Sequence, residues 1–202
     1  MLILHRHFIL NNKMREKLVE VFLQKNKELN LSAIRDEEGV MVKHIQDSLE
    51  LKNTWVFKDW MEVADVWTGG WFPLMPLAIS YPNIQFTGID SVKKKTVAVN
   101  EMLDTLWVKN AKVIWTRIEE YKEKQFDVVT ARAVAYSDKL IKWAYPLLKK
   151  WWYFLFMKQN IQEERELLLK LCKKYHLSLK DEIKYQLYEW DIDRIIYVIE
   201  KE

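Results

Sequence analysis

The chain has 202 residues, half of them hydrophobic, with 32 basic against 29 acidic residues and a formal net charge of +3. This length and apolar content predict one domain with at most a small appendage. The near balance of charge argues against a chain built for unspecific attraction to nucleic acid. The single cysteine, Cys172, excludes an internal disulfide and a cysteine-rich zinc site, and predicts a buried structural thiol.

Met1–Asn12 is too short, and too interrupted by His5, Arg6 and His7, to read as a signal peptide. No apolar run is long enough to cross a bilayer, so a cytoplasmic protein without a membrane partner is expected. Residues 12–60 read as helical: Leu18, Val21, Phe22, Lys25 and Leu29 follow helix spacing. Asn30-Leu31-Ser32 breaks the pattern, and a second helix is expected from Glu38 to about Leu49. From Met61 strands and helices alternate. Strands are expected at 61–66, 84–89, 111–115, 126–131, 152–157, 179–187 and 193–200, and helices near 74–80, 92–106, 137–148 and 161–175. Such alternation predicts an α/β protein whose parallel sheet is covered on both faces. The last two strands lack room for a helix between them and should form an antiparallel hairpin. Residues 1–60 are expected to form a helical cap packed as one unit with a domain over 61–202.

Residues 65–72 read Asp65-Val66-Trp67-Thr68-Gly69-Gly70-Trp71-Phe72, between the first strand and the first helix of the alternating part. With glycine at 67 and 71 this would be a nucleotide-type loop, whose backbone passes close to a ligand and takes positive φ. Composition fits that substitution. The chain holds 10 Trp and 4 Gly, where average usage predicts roughly 14 glycines. Trp60, Trp107, Trp151-Trp152 and Trp190 also stand where turns or caps belong. These tryptophans are therefore expected to occupy glycine positions. One route is a UGA codon that the source reads as glycine and the translation table reads as tryptophan. The plainer alternative is a naturally tryptophan-rich or deliberately substituted chain.

Four strand ends share a register: the loop 65–72, Asp90 after the second strand, Arg117-Ile118-Glu119-Glu120 after the third, and Ala131-Arg132-Ala133 after the fourth. Ligands of open α/β sheets bind at the carboxyl ends of the strands, where an acid can accept from ribose hydroxyls. Taken singly, Asp90 is as readily a helix cap, Glu119 a solvated carboxylate, and Arg132 an ion-pair partner. Their common register supports a ligand crevice. His5, His7 and His176 show no metal-ligand spacing.

Several of these segments carry a family resemblance over nearly the whole chain. Asn30-Leu31-Ser32-Ala33-Ile34, His44-Ile45-Gln46-Asp47-Ser48-Leu49, Asp65 to Ile79, Ile89-Asp90-Ser91 with the lysines after it, Arg117-Ile118-Glu119, and Thr130-Ala131-Arg132-Ala133-Val134-Ala135 resemble motifs of one family. These are the bacterial small-subunit (16S) ribosomal RNA guanine-N7 methyltransferases, also called glucose-inhibited division protein B. The resemblance implies a class I S-adenosylmethionine-dependent methyltransferase fold: a seven-stranded Rossmann-like sheet with a C-terminal antiparallel hairpin and an N-terminal helical extension. It implies S-adenosyl-L-methionine as cofactor, and cofactor contacts at Trp67, Gly69, Phe72, Asp90, Ile118, Glu119 and Arg132. The substrate implied is small-subunit ribosomal RNA or its ribonucleoprotein particle, with a monomer as the default state. Guanine N7 is a lone-pair acceptor, so no general base is required and none is assigned. Lysines around the crevice are candidate RNA contacts: Lys93, Lys94, Lys95, Lys149, Lys150 and Lys158. His44 is either a substrate-positioning residue or a structural partner of Asp47. Two other readings stand beside this one: an inactive RNA- or ribosome-binding relative whose pocket Trp67 and Trp71 block, and a small-molecule methyltransferase.

Overall fold

A computed structural model describes residues 10–132, 137–187 and 192–202. The first helix, α1 (Asn12–Leu29), starts at Asn11, whose side chain accepts from the Met14 amide, and ends at Asn30 in the left-handed conformation. The expected second helix is broken into short pieces: α2 (Glu37–Val40), a π-helical turn Met41–Gln46, α3 (Asp47–Leu49) and a 3-10 turn Glu50–Asn53. π-turns of this kind shift side chains around the helix and recur at functional sites. Here the turn carries His44 and leads into Asp47.

Seven strands follow: β1 (Glu62–Val66), β2 (Gln85–Asp90), β3 (Ala111–Trp115), β4 (Phe126–Arg132), β5 (Leu148–Gln159), β6 (Leu177–Leu187) and β7 (Ile192–Lys201). Helices α4 (Leu74–Ser80), α5 (Lys93–Thr105), α6 (Ser137–Ala144) and α7 (Gln162–Tyr175) connect them. The sheet order is β3-β2-β1-β4-β5-β7-β6. Strands β1 to β5 pair in parallel, and β7 runs antiparallel between β5 and β6. The order reverses between β1 and β4, and a crevice opens there at the strands' carboxyl ends.

The two faces of the sheet follow the alternation of side chains along each strand. Val63, Val128, Leu155 and Val198 face a core shared with α1, the broken helix, α4 and α5. Ala64, Val129, Phe154 and Tyr197 face a second core shared with α6 and α7. Residues before β1 thus pack on the same apolar layer as the sheet. Cys172 is buried as expected, and burial pushes its thiol up to about 11.

From Met61 onward two expected boundaries moved by more than two residues. The helix expected over 137–148 ends as α-helix at Ala144 and tightens into a 3-10 turn over Tyr145–Leu147, where Pro146 has no amide to donate to an α-helical bond. Strand β5 begins at Leu148, four residues earlier than expected, because the pairing continues through a bulge. Between the pairs Phe126–Leu148 and Val128–Tyr153 the register shifts, and β5 carries the surplus residues. Trp190 and Ala133 to Tyr136 lie outside the described residues.

Asn110 ties the edge of the crevice-bearing half together. Its Nδ2 lies 3.0, 3.0 and 2.9 Å from the carbonyl oxygens of Ala78, Tyr81 and Ile84. Asn110→Ala leaves those acceptors without this donor. Urea unfolding is expected to show a loss of about 1–3 kcal/mol with an unchanged m-value.

Candidate functional site

The loop after β1 is held from below and from the side. Asp65, on β1, is buried under it. The Thr68 hydroxyl lies 2.9 Å from the Asp65 carbonyl and 3.0 Å from its carboxylate, and the Thr130 hydroxyl donates to the other carboxylate oxygen at 2.9 Å. Burial pushes the Asp65 carboxyl up to about 7, against the opposing pull of these hydroxyls and Arg132. From the side, the Asp90 carboxylate accepts from the Gly69 amide at 2.8 Å and from the Val92 amide at 2.8 Å. Asp90 therefore clamps the first loop to the start of α5. Gly88 makes room for this: a Cβ there would stand 2.7 Å from the Thr68 hydroxyl oxygen.

Beside the clamp lies a cavity of about 230 Å3, lined by Trp67, Ile89, Asp90, Ser91, Arg117, Ile118, Glu119 and Trp143. It sits at the carboxyl ends of β1, β2 and β3. Four of the seven expected cofactor positions border it: Trp67, Asp90, Ile118 and Glu119. Gly69 adjoins it through its bond to Asp90. Phe72 and Arg132 do not border it. A larger open groove of about 830 Å3 lies along α1, Glu37, Glu38 and Met41; none of the expected site residues lines it.

Phe72 and Arg132 belong to a second constellation, where the helical cap meets the sheet. The Phe72 ring stacks on His44 with centroids 4.6 Å apart and meets Phe22 edge-on. Arg132, at the end of β4, donates to the Lys43 carbonyl at 2.9 Å and to Asp47 at 3.1 Å, and approaches His44 Nδ1 at 3.0 Å. Asp47 is fully buried and also accepts from Arg194 at 2.9 Å and the Tyr185 hydroxyl at 2.7 Å. One carboxylate of the cap thus binds groups from β4, β6 and β7.

The partner expected for His44 was Asp47; the structure gives it Ser32 and Arg132 instead. Nδ1 lies 3.0 Å from the Arg132 guanidinium, which can only donate, and 3.2 Å from the Lys43 carbonyl, which can only accept, while Nε2 lies 2.9 Å from Ser32 Oγ, so both ring nitrogens are engaged in either neutral tautomer. Burial, with Arg132 close by, lowers the imidazole to about 3. That direction, with both ring nitrogens engaged inside the protein, argues against His44 as a cationic contact for an RNA phosphate. Lys158 is corrected too: its side chain is 8% exposed and its ammonium is paired with Glu164 at 2.9 Å. Lys149 and Lys150 stand at the opening of β5, opposite Phe126 at the far end of the sheet from the crevice, and Lys149 pairs with Asp127 at 2.9 Å. Lys93, Lys94 and Lys95 form the first turn of α5, beside Ser91 of the cavity wall.

Two participants were missed in sequence, and Asp47 was expected only as a partner of His44. Asp65 stood inside a quoted motif, and its burial is what singles it out. Trp143, on α6, had no sequence signal; its ring packs against that of Trp67, with centroids 5.6 Å apart, and both line the cavity. Among the described residues no cluster could hold a metal ion, and no helix is long and apolar enough to cross a membrane.

Trp67 and Trp71 both lie in the left-handed region, at φ 55° and 73°. For an ordinary L-residue that costs about 1–2 kcal/mol each. Trp71 is fully buried, and its indole Nε1 finds no hydrogen-bond partner.

Comparison with known proteins places this geometry. The family model described as GidB, rRNA small subunit methyltransferase G, matches residues 11–186. A ribosomal RNA small subunit methyltransferase G from Lysinibacillus sphaericus is 34% identical over 192 residues, covering 92% of this chain and 81% of that protein. One from Onion yellows phytoplasma is 35% identical, covering 85% of this chain and 84% of its own. Among solved structures, a SAM-dependent methyltransferase from Aquifex aeolicus overlays with a TM-score of 0.64 at 15% identity, covering 88% of this chain and 97% of that one. The Thiobacillus denitrificans methyltransferase in complex with S-adenosyl-L-homocysteine overlays at 0.58 and 11% identity, covering 78% of this chain and 91% of that one. These overlays show the seven-stranded methyltransferase fold.

The two perturbed groups act oppositely on stability. Burial in the fold favours the protonated form of Asp65, so its contribution is full below the unfolded carboxyl pKa and is lost as pH rises toward 7. His44 is held neutral, so its contribution is full above the unfolded imidazole pKa and is lost as pH falls from about 6.5 toward 3. Between about pH 4 and 6.5 the two cancel in part. Chemical denaturation across this range is expected to show stability rising more steeply with pH in Asp65→Asn, and falling with pH in His44→Gln. Asp47→Ala, which leaves buried guanidinium groups unpaired, is expected to cost about 3–5 kcal/mol in the same assay.

Proposed function

The chain belongs to the GidB family of small-subunit rRNA methyltransferases, and from that premise we propose that it methylates guanine N7 in small-subunit ribosomal RNA with S-adenosyl-L-methionine as donor. The observation that carries the reading is the convergence of Trp67, Asp90, Ile118 and Glu119 on one cavity at the sheet's switch point. The cytoplasm, where small-subunit RNA is found, is the compartment this reading assigns.

The polar groups suit an adenosyl ligand. Asp90 and Glu119 are acceptors for hydroxyl and amino hydrogens, and Ile118 and Trp143 offer apolar walls to a ring. The space does not suit it. At about 230 Å3 the cavity falls short of the roughly 300–1,000 Å3 usual for small-molecule sites, and the Trp67 side chain forms one of its walls.

The demands on the protein itself are modest. Guanine N7 carries no proton, so the chain needs no general base. That agrees with His44, engaged at both ring nitrogens, and with Asp65, sealed beneath its loop. What the chain supplies is placement. Asp90 fixes the loop against α5, and Asp47 fixes the cap, through Arg132, beside the same strand ends. Holding reactants in line is by itself worth several orders of magnitude in rate. The N-terminal 60 residues act as the cap and the remainder as the methyltransferase domain. Lys94 and Lys95 offer cations at the crevice edge, in a helix turn that contains no acidic residue.

The Trp67 wall favours one second reading, an RNA-binding relative without transfer activity. The deciding test is incubation with labelled S-adenosyl-L-methionine and small-subunit RNA or particles, followed by mapping of N7-methylguanine by chemical strand scission. The proposal expects label at guanine N7. Saturable RNA binding without cofactor binding or label decides for the second reading. In the same assay Lys94→Ala with Lys95→Ala is expected to weaken RNA binding and to lower the salt slope by about 1–2 units, with cofactor affinity unchanged.

A further inference from the structure

Trp67 and Trp71 are not alone in their conformation. Among the described residues, seven non-glycine positions have positive φ: Asn30, Trp60, Trp67, Trp71, Trp107, Trp151 and His176. Asn and His are types that tolerate this region, and a bulky residue there is an outlier. Five of the seven are tryptophan. The other described tryptophans, Trp55, Trp115, Trp143 and Trp152, are absent from this set.

Four of the five occupy turns, a cap or a bulge in which a left-handed residue is usually glycine, and the fifth, Trp67, turns left-handed where the chain leaves β1. After α5, the Trp107 amide bonds to the Asp104 carbonyl and the Val108 amide to the Leu103 carbonyl, at 3.1 and 3.0 Å. This is the paired C-terminal cap whose left-handed residue is usually glycine. Trp151, at φ 66°, sits in the bulge of β5, a place where a left-handed residue is again glycine's. Trp60, at φ 71°, closes the turn into β1 and is 82% exposed. Trp71 closes a turn through its amide to the Thr68 carbonyl at 2.7 Å. Trp67 donates its amide to the Ile89 carbonyl at 2.9 Å, with its side chain in the cavity wall.

The geometry points to glycine at positions 60, 67, 71, 107 and 151 of the protein its source makes. A codon such as UGA, read as glycine by the source and as tryptophan by the translation table, produces this split. Tryptophans from the ordinary codon keep ordinary conformations, and those from UGA fall in glycine's. Glycine at 67 also removes an indole from the cavity wall; that consequence rests on reading the cavity as the cofactor site, whereas the identity of the five residues does not.

Peptide mass analysis of protein purified from its source tests the inference directly. Glycine masses are expected at the five positions and tryptophan masses at 55, 115, 143 and 152. A tryptophan mass at any of the five overturns it, and so does glycine at any of the four. A second test uses the recombinant chain. Trp60, Trp107 and Trp151 are 82, 80 and 64% exposed, so removing them gives up little packing. Trp60→Gly, Trp107→Gly and Trp151→Gly combined should raise the melting temperature by roughly 5–10 °C; no rise contradicts the inference.

Discussion

The clamp between Asp90 and the loop after β1 is the constraint on which the site depends. One carboxylate binds the Gly69 and Val92 amides at 2.8 Å each, so the loop's path and the start of α5 are set together. The loop can take that path only if its backbone turns left-handed at 67, 69 and 71. Gly69 does so without cost. An indole at either flank opposes the turn, and at 67 it also fills part of the space the turn exists to create.

The cap is tied to the same strand ends by a different interaction. Asp47 gathers Arg132, Arg194 and Tyr185 from three strands, and the π-turn before it sets His44 on the Phe72 ring. Buried charge of this kind adds little net stability against an apolar replacement. Its effect is to make the cap's position depend on the end of β4. Phe72 and Arg132 reach the cofactor side of the molecule through this network and not through the cavity itself, which separates two groups of residues that the motifs present as one.

The strands and the helices after them were legible because each carries a period that its burial enforces. Val63 against Ala64, and Val128 against Val129, alternate between the two cores. What was not legible was long-range or irregular. The broken helix after Glu37 has an amphipathic pattern that does not show where a π-turn will fall. The bulge in β5 is visible only once β4 is beside it. Spacing placed Lys158 and Lys149 near a crevice, but a linear pattern cannot show that Glu164 and Asp127 hold them. Turn chemistry, by contrast, was legible even through the wrong letter. Trp60, Trp67, Trp71, Trp107 and the pair Trp151-Trp152 stood out because indoles occupied sites that helix ends, bulges and ligand loops reserve for glycine. The structure then chose Trp151 of the pair.

The shape of one loop therefore decides whether a methyltransferase architecture can also be a working site. The most direct measurement is a crystal structure of the Trp67→Gly, Trp71→Gly protein grown with S-adenosyl-L-homocysteine. The ligand is expected in the space between Asp90, Ile118 and Glu119, with the main chain at 67 and 71 still left-handed. An empty cavity at saturating ligand, or a loop that abandons positive φ once the indoles are gone, would contradict the account.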